Sequence, residues 1–317
     1  MKLVYVGSPE AAVAPLRALV AAGHEIVIVL SQPDRKRGRG SALVASPVKA
    51  VALELGLAVT DRADDLLDAA AAGAQLGVVV AYGRLIKPHL LDALPFINLH
   101  FSLLPRWRGA APVERAVLAG DTETGVCLMA LEAGLDTGPV YERVVVSIDE
   151  TESVAVLRDR LVAVGVEMMV RRLADGFVSL GSAVDQVGES TYAAKLDPAE
   201  FVLDFTKPAY ELALLVRLGF AWTTVRGKRL KVLDARAASS GAAVGLVSGG
   251  LGKVDGDVLV GCGSSTDVKT DAGTESGTDV GTDALVLVTV QPEGKGPMAA
   301  AAWANGLGRL EETMLGQ

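Results

Sequence analysis

Met1-Lys2-Leu3-Val4-Tyr5-Val6-Gly7-Ser8-Pro9 begins with an apolar, β-rich run over 3–6 that is cut off by a Gly-Ser-Pro turn. That pattern reads as a buried β-strand, and it is too short and too quickly interrupted for a signal peptide. The stretch 10–22 is rich in Ala and Leu at helical spacing and stops at Gly23, a helix-terminating residue. A second strand follows at 26–30, then a polar loop over 31–46 and a helix over 47–55 closed by Gly56. Short strands recur at 77–81 and 96–100. Strand and helix in alternation predict an α/β fold, with a mostly parallel sheet covered by helices on both faces. In such sheets the functional residues lie at the carboxyl ends of the strands.

Beyond the apolar helix pattern at 154–174 the alternation stops. The stretch 176–198 is loop-like, and a short helix is predicted over 208–218. Strands are predicted at 223–225, 230–235, 243–247, 257–261 and 284–290, a spacing that suggests a small β-barrel. Residues 264–283 are almost entirely Ser, Thr, Asp and Gly. They lack the apolar side chains needed to fold and are expected to form a mobile insertion. The organisation expected is therefore a catalytic domain over 1–183, a linker over 184–203 and a smaller β-domain over 204–312.

The chain has 317 residues, 50% of them hydrophobic, ample for two buried cores. No apolar run reaches the ~20 residues of a membrane span. Two cysteines, Cys127 and Cys262, provide neither a disulfide framework nor metal-ligand spacing, so a cytoplasmic protein without a metal is expected. The net charge of −8 argues against a protein coated in nucleic acid. A local basic patch can still bind RNA, and two clusters qualify: Arg35-Lys36-Arg37-Gly38-Arg39 and Arg226-Gly227-Lys228-Arg229-Leu230-Lys231.

Chemistry is concentrated in Asn98-Leu99-His100-Phe101-Ser102-Leu103-Leu104-Pro105-Arg106-Trp107-Arg108-Gly109-Ala110-Ala111-Pro112. Side chains alternate along a strand, so Asn98, His100 and, if the strand continues, Ser102 share one face. Polar groups on a buried strand are costly unless they are paired or used. Gly134-Leu135-Asp136-Thr137-Gly138-Pro139 is a tight loop that presents one acid at a fixed place. An amide, an imidazole and a carboxylate together suit acyl transfer to an amine. Asn98 can donate to a developing oxyanion, protonated His100 can do the same, and Asp136 can orient and charge the ring. The attacking amine needs no serine or cysteine nucleophile. The sequence has no Gly-x-Ser-x-Gly elbow and no Gly-x-Gly-x-x-Gly fingerprint.

These motifs resemble those of the formyltetrahydrofolate-dependent formyltransferases, and most closely the branch acting on methionyl-tRNA. The resemblance rests on Asn98-x-His100, Ser102-Leu103-Leu104-Pro105, Arg108-Gly109-x-x-Pro112 and Gly134-Leu135-Asp136-Thr137-Gly138. Ala81-Tyr82-Gly83, Thr191-Tyr192-Ala193 and Gln291-Pro292-Glu293-Gly294-Lys295 extend it almost end to end. It implies a Rossmann-like N-terminal formyltransferase domain and a C-terminal OB-like, tRNA-binding β-barrel. It also implies 10-formyltetrahydrofolate as cosubstrate and initiator methionyl-tRNA as partner; a monomer that engages no membrane is expected. By the same resemblance Asn98, His100 and Asp136 form the catalytic set, and Ser102, Leu103, Leu104 and Pro105 touch the folate. Arg35, Lys36, Arg37, Arg39, Lys228 and Arg229 meet the tRNA. An amino-sugar nucleotide is the alternative acceptor. Glu114 stands where the family usually has glutamine.

Overall fold

A computed structural model describes residues 1–36, 43–238, 246–263 and 283–317. The chain divides into two compact units. The first comprises 1–116, 121–149 and 156–195, and the second 117–120, 150–155 and 196–317. The segment 184–203 is shared between them: Val184 pairs with Val140, and Tyr192–Ala193 pair with Arg108–Gly109 in the first unit, while residues from 196 onward belong to the second.

The first unit carries β1 (Lys2–Gly7), α1 (Val13–Ala21), β2 (Glu25–Leu30), α2 (Pro47–Glu54), β3 (Val59–Thr60), α3 (Asp65–Ala71) and β4 (Leu76–Val80). It continues through α4 (Pro88–Ala93), β5 (Phe96–His100), α5 (Pro112–Leu118), β6 (Glu123–Ala130), β7 (Val140–Ser147) and most of α6 (Val154–Leu173). These strands form one seven-stranded sheet in the order β7-β6-β5-β4-β1-β2-β3. All pairs from β5 to β3 are parallel, and β6 and β7 complete one edge in antiparallel fashion. The expected Rossmann-like α/β plan is therefore present.

Local signals explain much of this. β4 and β5 are buried at every residue, and β1 at every residue after Lys2. Continuous apolar runs of this kind belong to a parallel sheet covered on both faces. Helix α2 starts where Ser46 accepts a hydrogen bond from the Lys49 N–H and Pro47 fixes the first turn. The order of strands reverses between β1 and β4. A crevice opens at such a switch point, beyond the carboxyl ends of the strands.

The second unit contains α7 (Ala209–Val216), β8 (Trp222–Val225), β9 (Lys228–Ala237), β10 (Leu251–Val254), β11 (Asp257–Cys262), β12 (Asp283–Pro292), β13 (Met298–Ala299) and α8 (Ala300–Asn305). The strands form a curled antiparallel sheet in the order β8-β9-β12-β11-β10, with β13 alongside β12, and the unit is OB-like as expected. Its core includes Leu230, Val232, Val258, Val260, Leu285 and Leu287 from the strands, with Leu212 and Trp303 from the helices. The final residues bridge the two ends of the sheet. Leu315 pairs with Val225 beside β8, and Met314 pairs with Gly250 beside β10. Of the strand expected over 243–247, residues 243–245 lie outside the described residues, as does the insertion apart from Asp283.

Candidate active site

Strand β5 is flanked by β4 and β6, with Asn98 opposite Val79 and Met129, and His100 opposite Cys127. Leu99 turns to the other face, where Gly165 of α6 lets the helix come so close that an added Cβ would stand 2.7 Å from the leucine side chain. Asn98 and His100 thus sit side by side at the carboxyl end of a rigid, doubly flanked strand. Both are buried, with 9% and 5% of their surface exposed.

Asp136 arrives from the loop after β6 with a backbone φ of 51°. The loop is fixed by a close approach. A Cβ on Gly138 would meet the Ala130 carbonyl oxygen at 2.0 Å, so only glycine fits. Gln186 adds a clamp, its amide donating to the carbonyls of Asp136 and Gly138 at 2.8 Å each and its oxygen accepting from Arg108.

The resulting geometry is specific. His100 Nε2 is 2.9 Å from the Trp107 carbonyl oxygen, so that nitrogen carries its proton and donates. His100 Nδ1 faces Asp136 Oδ2 at 3.7 Å, close enough for an ion pair when the ring is protonated but beyond hydrogen-bond reach. The same carboxylate oxygen accepts from the Gly109 N–H at 2.9 Å. Asn98, His100 and Asp136 line a single cavity of about 430 Å³, within the usual size range of small-molecule sites. Its walls come from Tyr82, Arg84, Leu85 and Ile86 after β4, and from Leu131, Glu132 and Leu135 before Asp136.

Ser102 does not line the cavity, although its Oγ stands 3.5 Å from the same Trp107 carbonyl that meets His100. The strand ends at His100, and Ser102 is fully buried, donating to the Arg106 carbonyl at 2.6 Å within its own turn. Leu104 packs with Cys127, Met129 and Val140, and Leu103 lies against Gly125. None of Ser102, Leu103, Leu104 and Pro105 lines the cavity.

None of Arg35, Lys36, Lys228 and Arg229 is among the residues lining the cavity. Arg35 and Lys36 are exposed at the foot of a hairpin, paired with Val44 and Leu43. That foot is tied down by an ion pair of 2.7 Å between Asp34 and Lys49 and by hydrogen bonds among Ser8, Ser31, Ser46 and the Gln32 N–H. Arg37 and Arg39 lie outside the described residues. Lys228 and Arg229 are exposed on β9 in the second unit, the Arg229 guanidinium lying over the Trp222 ring at 4.1 Å. Glu114, the departure from the family glutamine, forms an ion pair with Arg158.

Sequence patterns did not single out Arg84, Leu85 and Ile86 of the cavity wall or the clamp residue Gln186. The available signal was Ala81-Tyr82-Gly83 directly after a strand, where Ala81 adopts a φ of 48°.

A Rossmann-like sheet with an amide, an imidazole and a carboxylate converging beyond the carboxyl end of β5 suits a transferase acting on acyl or one-carbon groups. The family comparisons narrow this class. Residues 1–173 match the Formyl transferase family and residues 195–308 its C-terminal domain, so the chain belongs to the formyl transferase family. A methionyl-tRNA formyltransferase of Thiobacillus denitrificans is 40% identical, with both chains covered over 100% of their length. One from Jannaschia sp. is 41% identical over 96% of this chain and 97% of the relative, and one from Dinoroseobacter shibae is 47% identical over 78% and 86%. Among solved structures, the N-formyltransferase from Helicobacter canadensis, in complex with folinic acid and dTDP-3-aminofucose, superposes with a TM-score of 0.65 at 15% identity, covering 92% of this chain and 99% of the other. HypX from Aquifex aeolicus, in complex with tetrahydrofolic acid, gives 0.60 at 15% identity, covering 98% and 48%. At that identity these two report on the fold alone.

Proposed function

We propose that the chain transfers the formyl group of 10-formyltetrahydrofolate to the α-amino group of initiator methionyl-tRNA, with Asn98, His100 and Asp136 as its catalytic set. The observation that supports this most is the convergence of those three side chains in one cavity at the sheet's carboxyl end, in a chain 40% identical over its whole length to an enzyme named for that reaction.

The cavity suits a folate donor. Its apolar walls, Leu85, Ile86, Leu131 and Leu135, fit a flat heterocycle, and Arg84 supplies a cation for an anionic tail. When bound, the donor supplies the formyl carbon. Ser102, Leu103, Leu104 and Pro105, the folate residues implied by resemblance, then act by shaping the turn after β5, while the cavity walls provide the direct contacts.

The acceptor amine must be neutral to attack. A free α-amino group has a pKa of about 7.7–8.0, and esterification of its carboxyl lowers this further. Attack moves negative charge onto the formyl oxygen. The Asn98 amide and the Nδ1 edge of His100 are the donors facing that charge, because Nε2 is already committed to Trp107. Asp136 stands 3.7 Å from Nδ1, placed to pair with the ring when it carries a charge, and the proton released by the amine passes within the cavity to the departing folate nitrogen.

The basic residues Arg35, Lys36, Arg37, Arg39, Lys228 and Arg229 are assigned to tRNA phosphates. The protein acts in the cytoplasm as a monomer without a metal. The test is formyl transfer to methionyl-tRNA beside an amino-sugar nucleotide, with turnover expected only for the tRNA. Neutralising Arg37 and Arg39 together should weaken methionyl-tRNA use and flatten its salt dependence, by a slope of about 0.9 per lost phosphate contact on duplex. Folate affinity should not change. Preferential turnover of the sugar nucleotide would overturn the reading.

A further inference from the structure

Trp107 has a backbone φ of 62°, a left-handed conformation that a bulky side chain adopts only when its surroundings impose it. Its N–H donates to Thr191 Oγ1 at 2.8 Å, and its indole N–H donates to Asp121 Oδ2 at 2.7 Å. The Arg106 guanidinium lies over the indole at 4.6 Å and donates to both oxygens of Asp121, at 2.9 and 2.6 Å. Held in this way, Trp107 turns its carbonyl onto His100 Nε2. Two residues later the Gly109 N–H reaches Asp136. One clamped segment therefore touches both members of the His–Asp pair.

The geometry points to Asp121 as a positioning residue for the transfer proposed above. By holding Arg106 and the Trp107 indole together, it aims the Trp107 carbonyl at Nε2 and leaves Nδ1 turned toward Asp136. An ion pair whose arginine is 46% exposed contributes little to stability by itself. If Asp121 were merely such a pair, its removal would leave the imidazole undisturbed.

The inference rests on the reading of His100 as a catalytic group, so its test includes a measurement that needs no substrate. The chain has three histidines, and the ring nitrogens of His100 can be assigned by ¹⁵N NMR after substituting His24 and His89. In Asp121→Asn the Nε2 signal should move away from its hydrogen-bonded position. The kcat for formyl transfer should fall about 10- to 100-fold with KM unchanged for both substrates, as expected for a misplaced catalytic group. Trp107→Phe, which removes the indole N–H that Asp121 accepts but keeps an aromatic ring, and Thr191→Val should shift the same signal in the same direction. Trp107→Phe carries the test of Asp121 if Asp121→Asn does not fold. Ring signals and kcat identical to wild type in folded variants would overturn the inference. If the wild-type protein formylated no methionyl-tRNA, the functional reading would fail, while the NMR comparison would still decide whether Asp121 sets the imidazole.

Discussion

His100 offers its two ring nitrogens to two different oxygens, a backbone carbonyl at 2.9 Å and a carboxylate at 3.7 Å. The shorter contact fixes the ring, and the longer one lies beyond hydrogen-bond reach. Asn98 stands two residues earlier on the same face. Replacing either residue by alanine should lower kcat about 10²- to 10³-fold, the usual loss for one oxyanion donor. Folate affinity, measured separately by titration, should remain near wild type, and near-normal turnover in either variant would remove that residue from the catalytic set. At this scale the sequence was legible where polar residues interrupt a buried apolar run, because burial makes each such residue conspicuous. Asp121 and Gln186 were not legible. They act through contacts to residues distant in sequence, and a polar residue in a loop carries no periodicity to mark it.

Among elements, β5 was predicted over the same bounds it occupies, since a short apolar segment between turns leaves little choice. The antiparallel pair β6 and β7 went unread. β6 is buried at every position between its two ends, so it lacks the alternation that marks a half-exposed strand. The charged residues of β7 find partners only through tertiary structure, as Glu142 does with Arg171 and Arg172 of α6. The loop following β6 is where packing and chemistry meet. In Gly138→Ala the new methyl would have to push aside the Ala130 carbonyl, which stands 2.0 Å from it. Overpacking of that kind typically costs about 1–3 kcal/mol, and here it would also displace Asp136. A lower melting temperature together with a reduced kcat is expected. Unchanged kcat in the folded variant would show that the loop tolerates movement without consequence for catalysis.

For the whole molecule, the change from alternating elements to a run of short strands distinguished the mostly parallel sheet from the antiparallel OB-like one. The insertion over 264–283 lies almost entirely outside the described residues, but its flanks do not. Cys262 and Asp283 face each other as a cross-strand pair, so β11 and β12 can be joined by a short turn without altering their register. Deleting the insertion and closing the gap should leave the melting temperature and formyl transfer close to wild type, because loop length changes stability only slowly. A fall of many degrees would assign the insertion a part in the fold.

The last residues of the chain have an effect out of proportion to their number. The Thr313 carbonyl accepts from the Leu251 N–H, the Leu315 N–H donates to Gly249, and the Gly316 N–H donates to Thr224. These bonds occupy backbone groups along β8 and β10, the two strands that would otherwise end the sheet. An uncovered strand edge is a template for pairing with another chain. A variant ending at Glu312 should therefore keep much of its strand content yet self-associate in a concentration-dependent way, visible as growing light scattering at elevated protein concentration. A truncated protein that stayed dispersed at high concentration would mean that the five-residue tail is dispensable as a molecular hem against aggregation.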